Sequence, residues 1–385
     1  MKILRVISSV NPENGGPING LVNSSRELLK LGHSIDVACL DSPSAPWVDS
    51  FEFNIHCFSG QLGTLKYSKK LDFWLERFIC NYDVVIIHGL WQYHSYKTAA
   101  FCKKKNIPYV VFTHGMLDPW FNESQLLKKI KKNIYWKLFE KNTINNASTV
   151  LFTSEEEKLL ARRSFKPYFP SETVVSYGSP LPVFEKKVCE NKFLTMFPAL
   201  VGKRVMLFLS RINEKKGIDI LVDSLTRVDN FPENFVLAIA GPDSNGLKKK
   251  LVQHISKLGL SNKIVWLGML KDEVKWGAYY SSDAFILPSH QENFGIVVAE
   301  ALSTSTPVLI TNKVNIWREI QSSGAGIVGD DNIDGITSIL SKWFGMDAIE
   351  KSQMSQAALD CYKVNFSIDS AARDLDKVLS SFIVN

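Results

Sequence analysis

Short apolar runs alternate with longer segments of helical period along nearly the whole chain, and no other feature constrains the fold as tightly. In the first half the apolar runs fall at 2–8, 34–39, 54–58, 83–87, 108–113, 148–153 and 173–177. Helical segments separate them at 19–31, 67–80, 95–105, 124–145 and 155–164. A strand that reaches its neighbour through a helix pairs with it in parallel, and the helices then cover both faces. The pattern therefore predicts an α/β chain built on parallel sheets. The alternation lapses around 178–203, where Pro180, Pro182 and Pro198 interrupt it. It resumes with strands at 204–209, 235–240, 263–267, 283–287 and 307–310, and helices at 216–228, 245–258, 272–280, 295–303, 315–322 and 333–343. A chain of 385 residues exceeds what one hydrophobic core usually holds. The reading is two Rossmann-like domains, 1–180 and 204–366, joined by a linker region at 181–203. Residues 367–385 close the chain with an amphipathic helix, on which Ile368, Ala371, Ala372, Leu375, Leu379 and Phe382 share a face.

A net charge of +6 suits anionic ligands such as nucleotide phosphates or lipid headgroups, but it is too diffuse to argue for nucleic acid. The six cysteines show no CxxC or Cys/His ligand spacing, so a reduced compartment and no metal site are expected. The apolar stretch at the N-terminus is too short for a signal peptide, and no run reaches the ~20 apolar residues of a spanning helix. The expectation is a cytoplasmic protein, free or peripheral on the inner face of a membrane.

In open parallel sheets ligands sit beyond the carboxyl ends of the strands, and four groups of residues lie there. Strand 283–287 leads into Pro288-Ser289-His290-Gln291-Glu292-Asn293-Phe294-Gly295, then Ile296-Val297-Val298-Ala299-Glu300. Gly295 lets a ligand approach the backbone, and the N–H groups of residues 295–297 make an anion site at a helix start. Glu292 is able to accept from sugar hydroxyls, and Glu300, set in an apolar run, to reach ribose hydroxyls. An acid favouring the helix dipole and an exposed surface acid are the plainer readings of the same pair. Strand 204–209 leads into Ser210-Arg211 and, five residues on, Lys216-Gly217. A guanidinium fork and an ammonium point charge together grip a pyrophosphate, although a solvated charge cluster reads the same. Asn14-Gly15-Gly16-Pro17 follows the first strand and allows either close approach to a phosphate or simply a tight turn. His114, in Thr113-His114-Gly115-Met116, and His88, in His88-Gly89-Leu90-Trp91, both end strands. Each is able to donate to a hydroxyl or merely to pack, and spacing does not say which faces a ligand.

On these motifs the chain resembles glycosyltransferase family 4 over nearly its whole length. Glu292-Asn-Phe-Gly-Ile-Val-Val-Ala-Glu300 is similar to that family's E-x7-E element, Arg211 and Lys216 to its phosphate clamp, and Gly15-Gly16-Pro17 to its N-terminal glycine loop. The stretches His88–Trp91 and Thr113–Trp120 resemble a subgroup active in bacterial surface-polysaccharide assembly. The resemblance implies a GT-B fold: two Rossmann-like domains facing each other across a cleft, with the C-terminal helix crossing back to the first. It implies a retaining glycosyltransferase that takes a hexose-type sugar from a UDP-, GDP- or ADP-linked donor. Arg211 and Lys216 would neutralise the pyrophosphate and Glu300 would hold the ribose. Glu292, with the backbone N–H groups of Asn293, Phe294 and Gly295, would hold the sugar, Ile296 and Val297 would belong to the donor site beside them, and His114 would contact the sugar near the reacting centre. The Trp266–Leu270 turn, Leu270 included, would pack the base. Retaining glycosidases use a carboxylate nucleophile. No such residue is evident here, and the resemblance implies front-face attack, with the leaving phosphate taking the acceptor proton and no metal or cofactor needed. Asp374-Leu-Asp376, the sole D-x-D, reads as solvated surface acid. In one respect the chain departs from the family: Ser176-Tyr177-Gly178-Ser179-Pro180 keeps a glycine before the linker but lacks the family's following acid.

Segment 124–141 combines six lysines with Trp136, Tyr135 and an aliphatic stripe. A basic amphipathic helix lies well on an anionic bilayer, where it would bring a glycan or lipid-linked acceptor close. A core-facing helix with a solvated basic face has the same pattern. The competing functional readings are a GT-B sugar-nucleotide epimerase and a non-catalytic nucleotide-sugar-binding module. An oxidoreductase is disfavoured by the missing GxGxxG.

Overall fold

The computed structural model describes residues 1–48, 51–60, 63–120, 126–228, 232–243 and 246–383, with the backbone alone at 126–128. It divides into two units, Met1–Gly178 with Ile368–Asn385, and Ser179–Ser367.

The first unit holds strands β1 (Lys2–Val6), β2 (Ser34–Cys39), β3 (Asn54–Cys57), β4 (Val84–His88), β5 (Tyr109–Phe112), β6 (Thr149–Phe152) and β7 (Glu172–Val174). They form one sheet in the order β3-β2-β1-β4-β5-β6-β7, every pairing parallel. Strand β4, Val-Val-Ile-Ile-His, is buried along its whole length, as an inner strand covered on both faces must be. The edge strands β3 and β7 are polar and partly open. Helix Gly16–Lys30 contributes Leu21 and Leu28 to the core on one face, and the C-terminal helix Ile368–Ser380 adds Leu375 and Leu379 to the same cluster. Asp376 on that helix accepts from His33 Nε2 at 2.8 Å, so one of the two acids expected to be merely solvated fastens the helix to its own unit.

The second unit repeats the plan with β8 (Arg204–Leu209), β9 (Phe235–Ala240), β10 (Ile264–Gly268), β11 (Ala284–Leu287), β12 (Val308–Thr311) and β13 (Gly326–Gly329). Their order is β10-β9-β8-β11-β12-β13, again all parallel. In each sheet the chain first builds outward on one side and then restarts on the other. The reversals fall between β1 and β4 and between β8 and β11, the points where loops diverge and leave room for a ligand.

Four elements depart from the sequence reading. The span 181–203, expected to be linker, holds helix Lys186–Met196 inside the second unit. Only Cys189 and Phe193 of that helix are buried, too few to print a period; burying a side chain such as Phe193 contributes about 2–3 kcal/mol. They pack so tightly on helix Asp272–Tyr280 that a Cβ at Gly277 would lie 2.2 Å from the Cys189 carbonyl oxygen. Helix Ala348–Cys361 and edge strand β13 were not anticipated, and both bury few residues. Segment 124–145, read as one helix, is helical over Leu126–Tyr135, makes a π-helical turn at Trp136–Glu140, and ends in a short helix Lys141–Asn145. Residues 124 and 125 lie outside the described residues.

Candidate functional site

In the second unit the loops after β8 and β11 lie side by side at the strand-order reversal. Gly217, with φ +67°, closes the β8 loop, and a Cβ there would lie 2.1 Å from the Pro288 carbonyl oxygen. Only glycine lets the two backbones come that close. His290 N donates to Lys215 O at 2.9 Å, tying the loops a second time. Across this contact Lys216 Nζ donates to Glu292 Oε2, an ion pair whose side chains are 9% and 21% exposed. Arg211 is exposed and makes no ion pair among the described residues. The β8 loop thus offers one open guanidinium and one ammonium neutralised by the carboxylate from the β11 loop. Lys216, expected to open a helix over 216–228, sits instead in a 3-10 turn, Glu214–Lys216, and the helix begins at Ile218.

Besides the Glu292 pair with Lys216 and the contact of His290 Nδ1 with Asp331 at 3.2 Å, backbone ties hold the β11 loop. Glu292 N donates to Lys313 O at 2.9 Å, and Asn315 N to Glu292 O at 3.0 Å. Gly295, at φ +70°, turns the chain into helix Ile296–Ser303, whose start carries no side-chain cap. Asn293, Phe294, Gly295, Ile296 and Val297 therefore all lie at an uncapped helix start beside Glu292, where backbone N–H groups favour an anionic ligand. Glu300 lies further along the helix. Its carboxylate accepts from Lys275 Nζ at 2.8 Å and from Tyr279 OH at 3.0 Å. Each carboxylate oxygen accepts more than one hydrogen, so this pairing orients Glu300 without exhausting it. Leu270 is buried just past β10, and Met269 beside it is exposed.

In the first unit Gly15, at φ +73°, precedes helix Gly16–Lys30, which also lacks a side-chain cap. A Cβ at Gly15 or Gly16 would meet no atom within 4 Å, so the space over this loop is open. The two histidines that spacing could not separate are bonded to each other: His88 Nδ1 lies 3.1 Å from His114 Nε2, and the rings stack 5.3 Å apart. His88 is 2% exposed and His114 only half-buried, so His114 is the more accessible of the two. His114 holds φ +51°, unusual for a residue with a side chain. Burial and the nearby Arg5 charge push its pKa down to about 3, and the same causes hold His88 well below its ordinary value.

Three buried side chains near this site were not among the candidates. Arg5, in the middle of β1, is 1% exposed and bonds to His88, Ser24 and Ser25. Burial lowers its pKa to about 10. A charge inside an apolar strand was the available signal. Glu157 accepts from Thr113 Oγ1 at 2.7 Å and Gly115 N at 2.6 Å, and from Thr153 N and Oγ1, so it clamps the loop on both sides of His114. In the sequence it is hidden as the third of three glutamates at a helix start. Glu140, on the π-helical turn, accepts from Trp91 N at 2.6 Å, and burial raises its pKa to about 7.

Two family models match the chain: Glycosyltransferase Family 4 over residues 14–175, and Glycosyl transferases group 1 over residues 197–359. A glycosyltransferase of Methanocaldococcus jannaschii is 29% identical over 177 residues, which is 45% of this chain and 43% of that protein. The lipopolysaccharide core mannosyltransferase LpsB of Rhizobium meliloti is 25% identical over 221 residues, 55% of this chain and 61% of that protein. The chain spans about half the length of the curated relatives it matches. Among solved structures, Anabaena HepE in complex with UDP superposes with TM-score 0.79 at 18% identity, covering 99% of this chain and 100% of that one. This likeness shows the fold, the GT-B fold of two parallel-sheet α/β domains. The two family matches between them take in most of the sequence, and the chain belongs to glycosyltransferase family 4.

Proposed function

We propose that the chain is a retaining, metal-independent glycosyltransferase moving a hexose-type sugar from a nucleotide-sugar donor to a glycan or lipid-linked acceptor in surface-polysaccharide or lipopolysaccharide assembly. The observation that carries the reading is the Lys216–Glu292 pair at the β8–β11 reversal, with Arg211 open beside it. A nucleoside diphosphate leaving a sugar gains negative charge, and fixed cations and N–H groups aimed at that charge lower the barrier. Arg211, Lys216 and the start of helix Ile296–Ser303 are assigned that task, which is why the reading calls for no metal. Glu292 holds the sugar, Glu300 the ribose, and Leu270 packs the base. Gly15 and Gly16 admit a phosphate, and His114 contacts the transferred sugar. HepE, solved with UDP and with UDP-glucose, supports a nucleotide-sugar donor. Retention follows on this reading from front-face attack, the departing phosphate oxygen receiving the acceptor's proton.

A peripheral position on the cytoplasmic face of a membrane belongs to the same proposal. Ile130, Ile134 and Leu138 recur every fourth residue and are 49%, 54% and 62% exposed, and Lys129, Lys131 and Lys137 beside them are exposed too. An apolar stripe turned outward between lysines suits an anionic lipid surface rather than a core.

The test is thermal unfolding with UDP, GDP, ADP and their sugar conjugates in the absence of metal. A ligand at 100 times its dissociation constant stabilises by about 2.7 kcal/mol. A shift with one base is the expected result. Folded protein that shifts with none would refute the donor assignment. For the base that binds, an NMR time course of the transfer product should show the donor's anomeric configuration; inversion would refute the retaining mechanism.

A further inference from the structure

The hydrogen bonds running from Arg5 through His88 to His114 admit one distribution of protons. Arg5 Nε lies 3.2 Å from His88 Nε2, and an arginine Nε–H only donates. His88 Nε2 must therefore be a bare acceptor. A neutral imidazole with a bare Nε2 carries its proton on Nδ1. His88 Nδ1–H is the donor to His114 Nε2, 3.1 Å away. His114 Nε2 is then also bare, and its proton sits on Nδ1. An imidazolium at His114 would set two N–H groups against each other across that distance. The chain of bonds has a fixed sense because its first member does not give up its proton.

The packing around Arg5 maintains this arrangement. Its Nη1 donates to Ser24 Oγ at 2.8 Å, Ser25 Oγ at 2.9 Å and Leu21 O at 3.1 Å, all on the helix that follows the glycine loop. These partners are neutral, and no ion pair of Arg5 with a carboxylate is formed among the described residues. His88 is steadied from behind by His94, whose Nε2 lies 2.9 Å from His88 O. Tyr177 sets its ring edge-on to His114 at 5.6 Å. His88 ends β4 and His114 follows β5, and Arg5 on β1 reaches them beside the strand-order reversal of the first unit.

We infer that Arg5, acting through His88, is a positioning residue that fixes His114 as a neutral imidazole with its hydrogen on Nδ1. His114 then presents a hydrogen-bond donor, and neither an acid nor a base, to the sugar. The consequence for the sugar rests on the assignment of His114 made above; the proton distribution itself does not.

The experiment is long-range proton–nitrogen NMR of full-length protein labelled with 15N at histidine, at pH 7 and without ligand. The seven histidines are assigned by single substitutions. His88 and His114 should both show a protonated Nδ1 and a bare Nε2. His114 found as the Nε2–H tautomer or as imidazolium would overturn the inference. Two variants then isolate the relay. His88→Asn keeps an N–H at the position of Nδ1, whereas His88→Phe keeps the stacked ring without a donor. Both leave Arg5 Nε without its imidazole acceptor, so loss of that bond is common to them. His114 should keep its Nδ1–H in H88N and shift to Nε2–H in H88F, and transfer should fall at least tenfold further in H88F than in H88N. An unchanged His114 tautomer in H88F would overturn the relay. Wild-type transfer by His114→Ala, with the expected tautomers in place, would instead refute the assignment of His114 to the sugar.

Discussion

Replacing Glu292 by alanine strands the Lys216 ammonium, and the consequence is calculable from burial. Removing one partner of a fully buried pair costs about 3–5 kcal/mol. Lys216 is nearly inaccessible, but the Glu292 side chain keeps 21% of its surface, so water enters the vacated position and screens the charge. A cost of about 2–3 kcal/mol follows. For a unit of this size that is a drop of roughly 5–10 °C in its unfolding midpoint. The companion variant decides the mechanism. In Lys216→Met/Glu292→Ala both partners are gone, no buried charge is left unpaired, and most of the loss should be recovered. Binding and catalysis should separate in the opposite sense. E292A retains Arg211 and frees Lys216, so the nucleoside diphosphate that shifts the wild type should bind with affinity equal or better, while transfer falls by about 10²-fold or more. The double variant should lose both. Circular-dichroism melts and titration calorimetry on the three proteins read these outcomes. If E292A melts with the wild type, or if the double variant is no more stable than E292A, the pair does not join the two loops as argued here.

Two further perturbations address the first unit. Burial raises the Glu140 carboxyl from 4.5 to about 7, so the native state binds the extra proton and stability falls as pH rises from 4.5 to about 7; Glu140→Gln should remove that component and gain up to about 3 kcal/mol at pH 8, whereas denaturant melts with unchanged pH dependence would refute the assignment. Ile130→Glu with Ile134→Glu should weaken co-sedimentation with vesicles containing anionic lipid at least tenfold and leave nucleotide-induced thermal shifts unchanged; equal sedimentation of variant and wild type would rule out this helix as the contact.

Both sheets were legible because buried parallel strands print as uninterrupted apolar runs. Val84–Ile87 and Ala284–Leu287 could be little else. Elements that bury one or two residues did not print: Lys186–Met196 and Ala348–Cys361 are half or more charged or polar, and β13 is four residues bounded by glycines. Lys216, Glu292 and Gly295 were legible because loop residues just past a strand have few packing reasons to be charged or to be glycine. The supporting groups were not. Glu157 and Lys275 act through partners 44 and 25 residues away, Thr113 and Glu300, and no local pattern announces a contact at that separation. Arg5 was readable as an anomaly, an arginine within Lys-Ile-Leu-Arg-Val, but its meaning lay in the register that sets β1 beside β4 and so brings it to His88.

The two units place charge at the same topological position and treat it oppositely. At the β8–β11 reversal the cations remain available, Arg211 open and Lys216 held by a carboxylate with which a phosphate would compete. At the β1–β4 reversal Arg5 is sealed among hydroxyls, a carbonyl and an imidazole, none of which neutralises it. A sealed cation does not bind a phosphate; its effect is on the neighbouring rings, where it disfavours any further positive charge and so keeps His88 and His114 neutral. Transfer of a sugar calls for both conditions. The leaving diphosphate needs accessible positive charge fixed where it departs. The sugar, which becomes cationic as the bond breaks, is better served by a neutral donor than by an imidazolium that would repel it. On this argument Arg5→Glu is a more damaging change than Arg5→Met. A carboxylate in that place would accept from His88 instead of donating to it, reverse the sense of the hydrogen bonds, and stabilise an imidazolium at His114, the residue proposed to contact the sugar.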